Sequence, residues 1–341
     1  MDSVTQALLG AAAAESVVGK QVGRKASAWG GFLGILPDLD ILVRYSNPVD
    51  SFTYHRSFSH SLPVLLVLTP LLVWLILRLH PASREHRARW FWVVGLCLVT
   101  HVLLDSLTIY GTQLLWPFSD YPFGLGSIFI IDPLYSLPLL AGCIAVFVTR
   151  GRAARRLLKA GLVFSSLYLV WGLLAQQLML DRLQRHLDEQ GMTHDHLLVT
   201  PAPFNSVLWR FVVRVDNGYY EGFMSFLDPP GIPAMRFQAS RDDLVDSLRA
   251  WPSAARLMTF SKGQFGIFNH GDDIIMSDLR MGVSPDFVFS FKVGETDDDG
   301  IVETTPSRFS GRMVTGRKLA WIFYRIGDAS LPLPVGNFGD R

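Results

Sequence analysis

The chain has 341 residues, 49% of them hydrophobic, and its mean hydropathy of +0.27 is typical of a membrane protein. Its 31 basic and 30 acidic residues give a formal net charge of +1, which offers no strongly basic surface, so no nucleic-acid partner is expected. The two cysteines, Cys97 and Cys143, lie in apolar runs, which excludes a disulfide framework and a zinc site built on several thiolates.

Long apolar runs are concentrated in the first half of the chain. Four of them approach the roughly 20 apolar residues that cross a bilayer core. These runs cover residues 62–79, 90–108, 133–149 and 157–180. Two earlier segments, 4–18 and 26–43, are shorter or interrupted by Gly and Pro, which suits short spans, re-entrant segments or interfacial helices. The sequence therefore predicts an α-helical integral membrane domain with about four to six spans.

After Leu180 the sequence alternates polar and apolar residues in short segments, as soluble domains do. We therefore predict a membrane domain over residues 1–180 and a smaller soluble α+β domain over residues 181–341. Asn217 and Gly218 separate two β-rich runs and predict a hairpin. Residues 242–251 have a helical pattern. No nucleophile, base or phosphate-binding loop stands out in this half.

The distribution of basic residues predicts the orientation in the membrane. Arginines and lysines cluster in loops 81–89 and 150–159, whereas the intervening segment 109–132 has none. Because Lys and Arg accumulate on the cytoplasmic side, the two basic loops are expected inside and segment 109–132 outside. The protein is thus expected in a bacterial-type inner (plasma) membrane, with the domain after Leu180 extracytoplasmic.

Ionisable residues recur at the ends of the apolar runs that this orientation places outside. His101 and Asp105 are four residues apart and share one helical face. Asp38 and Asp40 follow the second segment, where Pro37 is expected to interrupt the helix. Ionisable residues within spans are costly and usually mark a functional site, although a buried His–Asp pair can instead lock helix packing.

A third group precedes the run at 62–79 and contains His55, Arg56 and His60. Taken alone, these histidines would also fit solvated positions at the membrane interface. Together with the carboxylates above, they form a set of imidazoles and carboxylates without thiolates, which suits Zn²⁺ first and Mn²⁺ second. Such a set with an open position activates water, so the sequence predicts metal-assisted hydrolysis.

Four stretches carry a resemblance to a known family. They are DSVTQALLG from Asp2, GILPDLD from Gly34, HRSFSHS from His55 and THVLLD from Thr100. Over roughly residues 1–150 the chain resembles the YdjM-like family of inner-membrane proteins, which are described as metal-dependent hydrolases. The opening family motif reads D-x-x-T-H, whereas Gln6 occupies the histidine position here.

The resemblance and the residue pattern together define a candidate site. The predicted metal ligands are Asp38, His55, His60, His101 and Asp105. Asp40 is assigned either as a further ligand or as a carboxylate that orients an imidazole, and Arg56 either holds a phosphate or carboxylate or contacts lipid headgroups. A site at the membrane surface favours a lipid or a lipid-linked ester or phosphodiester as the substrate, with membrane lipids as neighbours.

Two other functions remain open at this stage. The first is a non-catalytic membrane scaffold or regulator with a structural metal, whose soluble domain binds a partner. The second is an ion or proton transporter that uses the same histidines and carboxylates. A transporter would distribute such residues through the bilayer, whereas here they cluster at one face.

Overall fold

The fold consists of two compact units. The computed structural model describes residues 1–230, 234–298, 300–309 and 316–333. The first unit comprises Met1–Val43 and Arg56–Leu173, and the second comprises Arg44–His55 and Leu174–Arg341. The sequence placed a single boundary at Leu180. In the structure the change occurs inside one long helix, and a short early segment also belongs to the second unit.

The described helices, in chain order, are α1 (Ser3–Val22), α2 (Lys25–Ile35), α3 (Pro48–Tyr54), α4 (Leu62–Leu79), α5 (Arg87–Leu107), α6 (Pro133–Thr149), α7 (Arg152–Glu189), α8 (Val245–Leu248), α9 (Pro252–Phe260) and α10 (Gly316–Arg325). In the first unit, two short 3-10 turns, Pro37–Leu42 and Phe58–His60, lie before α3 and α4. These turns carry several of the candidate site residues.

The potential of the helical half to cross a membrane is confirmed, but the predicted number of spans is not. Among the described residues, three helices are long and apolar enough to cross a bilayer: Leu62–Leu79, Pro81–Leu107 and Arg152–Glu189. The helix Pro133–Thr149 is apolar but shorter. The range of four to six spans is therefore not confirmed. The N-terminal half is helical and the C-terminal half rich in β-sheet, as expected.

Helices α1 and α2 pack against each other through glycines. A Cβ atom at Gly10 would lie 2.2 Å from the carbonyl oxygen of Gly30, and one at Gly34 would lie 2.3 Å from the carbonyl oxygen of Gln6. Real Cβ atoms do not approach backbone oxygens so closely, so this contact needs glycine. It brings Gln6 and the end of α2 next to each other.

The core of the first unit lies where α1, α2, α4 and α5 meet. Leu33, Ile76, Trp90 and Leu98 are fully buried there. Cys97 is buried in the same cluster, as expected of a cysteine that packs as a small hydrophobic residue. Because α5 is packed in this core, its last turns are held firmly in place where they contribute to the candidate site.

The segment between α5 and α6 is ordered and holds the polar residues that precede α4. The Leu62 amide donates to the Leu114 carbonyl at 2.9 Å, and the Gln113 amide donates to the Arg56 carbonyl at 2.9 Å. A bridge between Thr112 and Phe123 closes the segment on itself. These backbone bonds fix both ends of the stretch that contains His60.

The second unit contains two antiparallel four-stranded sheets. The strands are β1 (His196–Pro201), β2 (Leu208–Val215), β3 (Gly218–Ser225), β4 (Met235–Ala239), β5 (Phe265–His270), β6 (Asp273–Asp278), β7 (Gly282–Val283), β8 (Asp286–Phe287), β9 (Ser290–Asp297) and β10 (Gly300–Phe309). The sheet orders are β1-β2-β3-β4 and β10-β9-β6-β5, and β7 pairs with β8. The hairpin predicted at Asn217 is present, since Val215 pairs with Gly218 and Asn217 has a φ of 61°.

Helix α3 belongs to the second unit although it precedes most of the first in sequence. The ring of Phe52 stacks on Phe289 with centroids 4.1 Å apart, and Asp50 forms an ion pair with Arg256 at 3.1 Å. Burial of a large aromatic side chain anchors this segment firmly. The stretch from His55 to His60, which the sequence treated as continuous, is therefore divided between the units, with His55 in the second and Arg56 in the first.

Candidate metal centre

Four of the predicted site residues meet in the first unit. Asp38, His60, His101 and Asp105 each offer one ligand atom, and these atoms all lie within 4.8 Å of one another. Asp38 lies in the 3-10 turn that follows α2, His60 in the turn before α4, and His101 and Asp105 on one face of α5. Three separate chain segments thus supply one compact group.

The tautomer of His101 follows from its hydrogen bond. Its Nδ1 lies 2.6 Å from the carbonyl oxygen of Gly34. A carbonyl oxygen can only accept, so Nδ1 carries a hydrogen, and in the neutral imidazole Nε2 then keeps its lone pair. The close packing of α1 against α2, which places Gly34, therefore sets which nitrogen of His101 faces the group.

The tautomer of His60 follows from a short chain of hydrogen bonds. The Ser59 hydroxyl donates its one hydrogen to Oδ2 of Asp40 at 2.7 Å. The Ser59 oxygen lies 2.9 Å from His60 Nδ1, so Nδ1 must be the donor in that contact. In the neutral imidazole, His60 Nε2 is thereby left as an acceptor. Asp40 lies on the Nδ1 side of the imidazole, where a carboxylate can orient the ring.

The four acceptors face one another at short range. The Nε2 atoms of His60 and His101 are 3.1 Å apart. Oδ2 of Asp105 lies 3.2 Å from the first and 3.6 Å from the second, and Oδ1 of Asp38 lies 3.4 Å and 3.6 Å from them. With both imidazoles neutral, lone pairs and negative charge converge here, and this is the electrostatic environment that a cation neutralises.

Positive and polar groups surround Asp105 on its other side. Arg56 Nε lies 3.1 Å from Oδ2, and Gln6 Nε2 donates to Oδ1 at 2.9 Å. The Met1 amino group also contacts Oδ1. Arg56 is only 5% exposed, so its guanidinium is a buried partner of this carboxylate. Its backbone φ of 65° is held by the bond from its amide to Asp40 Oδ2, at 2.9 Å.

Asp38 is the accessible member of the group. Its side chain is 15% exposed, whereas those of His60, His101 and Asp105 are 0% exposed. Its carboxylate is therefore the part of the group that solvent reaches.

The remaining sequence predictions have different outcomes. His55 lies outside the group, at the end of α3 in the second unit. Asp2, the first residue of the stretch DSVTQALLG, caps α1 by accepting from the Thr5 amide at 3.0 Å.

Sequence reasoning missed Ser59 and Gly34, since a serine and a backbone carbonyl leave no metal-ligand signature. The spacing of Ser59 immediately before His60 was the available signal.

The part of the chain that matches a known protein family largely coincides with the first unit. The profile of the YdjM inner membrane protein family matches residues 1–179, a range that contains the whole four-residue group. The chain is 30% identical over 256 residues to the uncharacterized protein YfhP of Bacillus subtilis (strain 168), covering 72% of this chain and 73% of YfhP. No solved structure gives a significant match. The resemblance found in the sequence is thus confirmed, and the chain belongs to the YdjM inner membrane protein family.

Proposed function

We propose that the chain is a membrane-bound hydrolase that holds a divalent metal ion between Asp38, His60, His101 and Asp105. The observation that carries this proposal is the pair of facing Nε2 atoms, 3.1 Å apart, with both Nδ1 hydrogens already donated elsewhere. Two imidazoles and two carboxylates form a mixed N/O donor set that suits Zn²⁺, with Mn²⁺ as the second choice.

The residues around the group have distinct roles in this proposal. A divalent ion held by these four residues would supply Lewis acidity, which would activate water for hydrolysis near neutral pH. Asp40 orients His60 through Ser59, and Arg56 balances the charge of Asp105. Asp38 leaves an accessible side on which the substrate binds. Arg56 serves catalysis by keeping Asp105 ionised and in place, since its guanidinium is buried against that carboxylate.

The surroundings of Asp38 favour a substrate at the membrane interface. Leu39, Ile41, Leu42 and Val43 follow it directly and are all exposed, two of them by about three quarters of their surface. Exposed aliphatic side chains beside a polar site fit an acyl chain or the lipid interface. A lipid or a lipid-linked ester or phosphodiester is therefore the proposed substrate class.

The orientation is proposed from charge distribution. The group lies at the end of α5 that is remote from the basic loop 81–89, so the positive-inside tendency favours an outward-facing site and an extracytoplasmic second unit. A fusion of alkaline phosphatase to the C-terminus tests this orientation. Phosphatase activity in intact cells is expected. An inactive phosphatase fusion, together with fluorescence from a cytoplasmic reporter protein fused at the same place, would overturn the orientation.

The activity itself is tested on detergent-purified protein. We expect that Zn²⁺ or Mn²⁺ restores hydrolysis of a lipid ester or phosphodiester in mixed micelles after chelation, and that Asp38→Asn abolishes it. Because three of the four ligand side chains are fully buried, a purely structural metal is the second candidate. Stoichiometric metal without turnover of any ester or phosphodiester would favour that structural role and the scaffold function.

A further inference from the structure

A polar cavity lies in the first unit, away from the proposed metal-binding group of Asp38, His60, His101 and Asp105. Its volume is about 330 Å³, and it is lined by the C-terminal half of α1, the first turn of α5 and the first two turns of α7. Four of the lining residues are cationic: Lys20, Arg89, Arg155 and Lys159. Pockets of this size hold a small ligand or a lipid headgroup.

The positive charge of this basic cavity is not balanced from within. Its one acidic lining residue, Glu15, is already paired with Arg150 at 3.1 Å and accepts from Ser27 at 3.0 Å. Within the described part of the chain, no carboxylate forms an ion pair with any of the four lining cations. Four like charges around one concave surface repel one another unless an anion lies among them.

The basic cavity and the metal-binding group lie near opposite ends of α5. Arg89 is in the first turn and Asp105 in the last, and 16 residues of helix between them correspond to about 24 Å. That length is comparable to the hydrocarbon core of a bilayer, about 30 Å. On the orientation proposed above, the basic cavity therefore opens at the cytoplasmic membrane surface, where anionic lipid headgroups are abundant.

We propose that the basic cavity binds a phosphate group at the cytoplasmic surface, carried either by an anionic phospholipid or by a soluble phosphate. Lys20 and Lys159 supply mobile ammonium groups from two different helices, and Arg89 and Arg155 supply planar guanidinium groups that suit phosphate oxygens.

The test compares two double variants that remove the same charge. Lys20→Gln with Lys159→Gln removes two cations from the basic cavity. Lys25→Gln with Arg156→Gln removes two exposed cations that do not line it. Phosphatidylglycerol is titrated into delipidated full-length protein in detergent, and adducts are counted by native mass spectrometry; inorganic phosphate is titrated separately by calorimetry.

The two probes distinguish the sources of the phosphate. Because the cavity variant loses two headgroup contacts, its affinity is expected to fall by about tenfold or more relative to the wild-type protein. The affinity of the control variant should stay within about twofold of the wild-type value. Such a loss for phosphatidylglycerol alone assigns a lipid, and a loss for inorganic phosphate assigns a soluble ligand. Equal affinities in all three proteins, or equal losses in both variants, would overturn the proposal. Circular dichroism of each variant checks the fold.

Discussion

His60 and His101 face each other through Nε2 atoms that are 3.1 Å apart, and each donates its Nδ1 hydrogen to another residue. Neither nitrogen can donate to the other in these tautomers, so the contact is repulsive without a positive charge between them. The carboxylates of Asp38 and Asp105 add to that repulsion. A bound cation would attract all four ligand atoms.

Removal of either imidazole should therefore remove the metal. The wild-type protein is expected to bind about one metal ion per chain, and His60→Ala and His101→Ala are expected to bind far less. His55→Ala is the matched control, because His55 lies outside the group, and it should keep its metal. Metal content is measured by inorganic mass spectrometry on purified protein. Full occupancy in both alanine variants would contradict the ligand assignment.

Ser59 tests the hydrogen bonds that orient His60. Ser59→Ala removes the hydroxyl between Asp40 and His60 Nδ1, so the imidazole loses its fixed tautomer and direction. Loss of such an outer partner usually lowers metal affinity by about 10-fold to 100-fold. The affinity is measured by competition with a chelator. Ser106→Ala, which removes an exposed hydroxyl bonded to the Leu103 carbonyl, should leave it unchanged, and equal affinities in the two variants would refute the role of Ser59.

The sequence predicted most of the group but little of what orients it. His101 and Asp105 were predicted from helical spacing, and Asp38 from its place after an interrupted segment. Those signals depend on periodicity and residue type, which a sequence displays. His55 was included because it is close to His60 in sequence, yet the packing of Phe52 draws that segment into the second unit. Tertiary packing of this kind leaves no trace in local spacing.

The helices also divide into those that local sequence predicts and those that depend on tertiary contacts. The run at 62–79 was predicted to its exact ends, because Ser61 caps α4 and His80 follows its last turn. The early segments remained ambiguous because their glycines weaken a helix by propensity. The structure explains those glycines through the close contact of α1 with α2, which no propensity scale includes.

Gly34 connects that helix contact to the proposed metal-binding group of Asp38, His60, His101 and Asp105. Gly34→Ala would place a methyl group 2.3 Å from the Gln6 carbonyl, so α1 and α2 must separate, at a cost of about 1–3 kcal/mol in the free energy of unfolding. The same shift moves the carbonyl that holds His101 Nδ1, and metal affinity should fall as well.

Gly95 provides the control for this substitution. A Cβ atom at Gly95 meets nothing within 4 Å, so Gly95→Ala should leave metal affinity unchanged and raise stability by up to about 1 kcal/mol. Thermal unfolding and chelator competition on both variants make the comparison. If Gly34→Ala matched Gly95→Ala in both measurements, the proposed link between helix packing and His101 would be lost.

Gln6 stands where the family pattern has histidine, and it is buried against the proposed metal-binding group. Its Nε2 donates to Asp105 Oδ1 at 2.9 Å and to the His101 carbonyl at 3.2 Å, while its Oε1 has no hydrogen-bond partner within the described residues. An imidazole can keep one donor bond to Asp105 and present a second nitrogen to the cation, so Gln6→His should retain or raise metal affinity. Gln6→Leu removes the donor and should weaken binding. Isothermal titration with Zn²⁺ ranks the three proteins, and loss of metal in Gln6→His would show that position 6 supports Asp105 only as an amide.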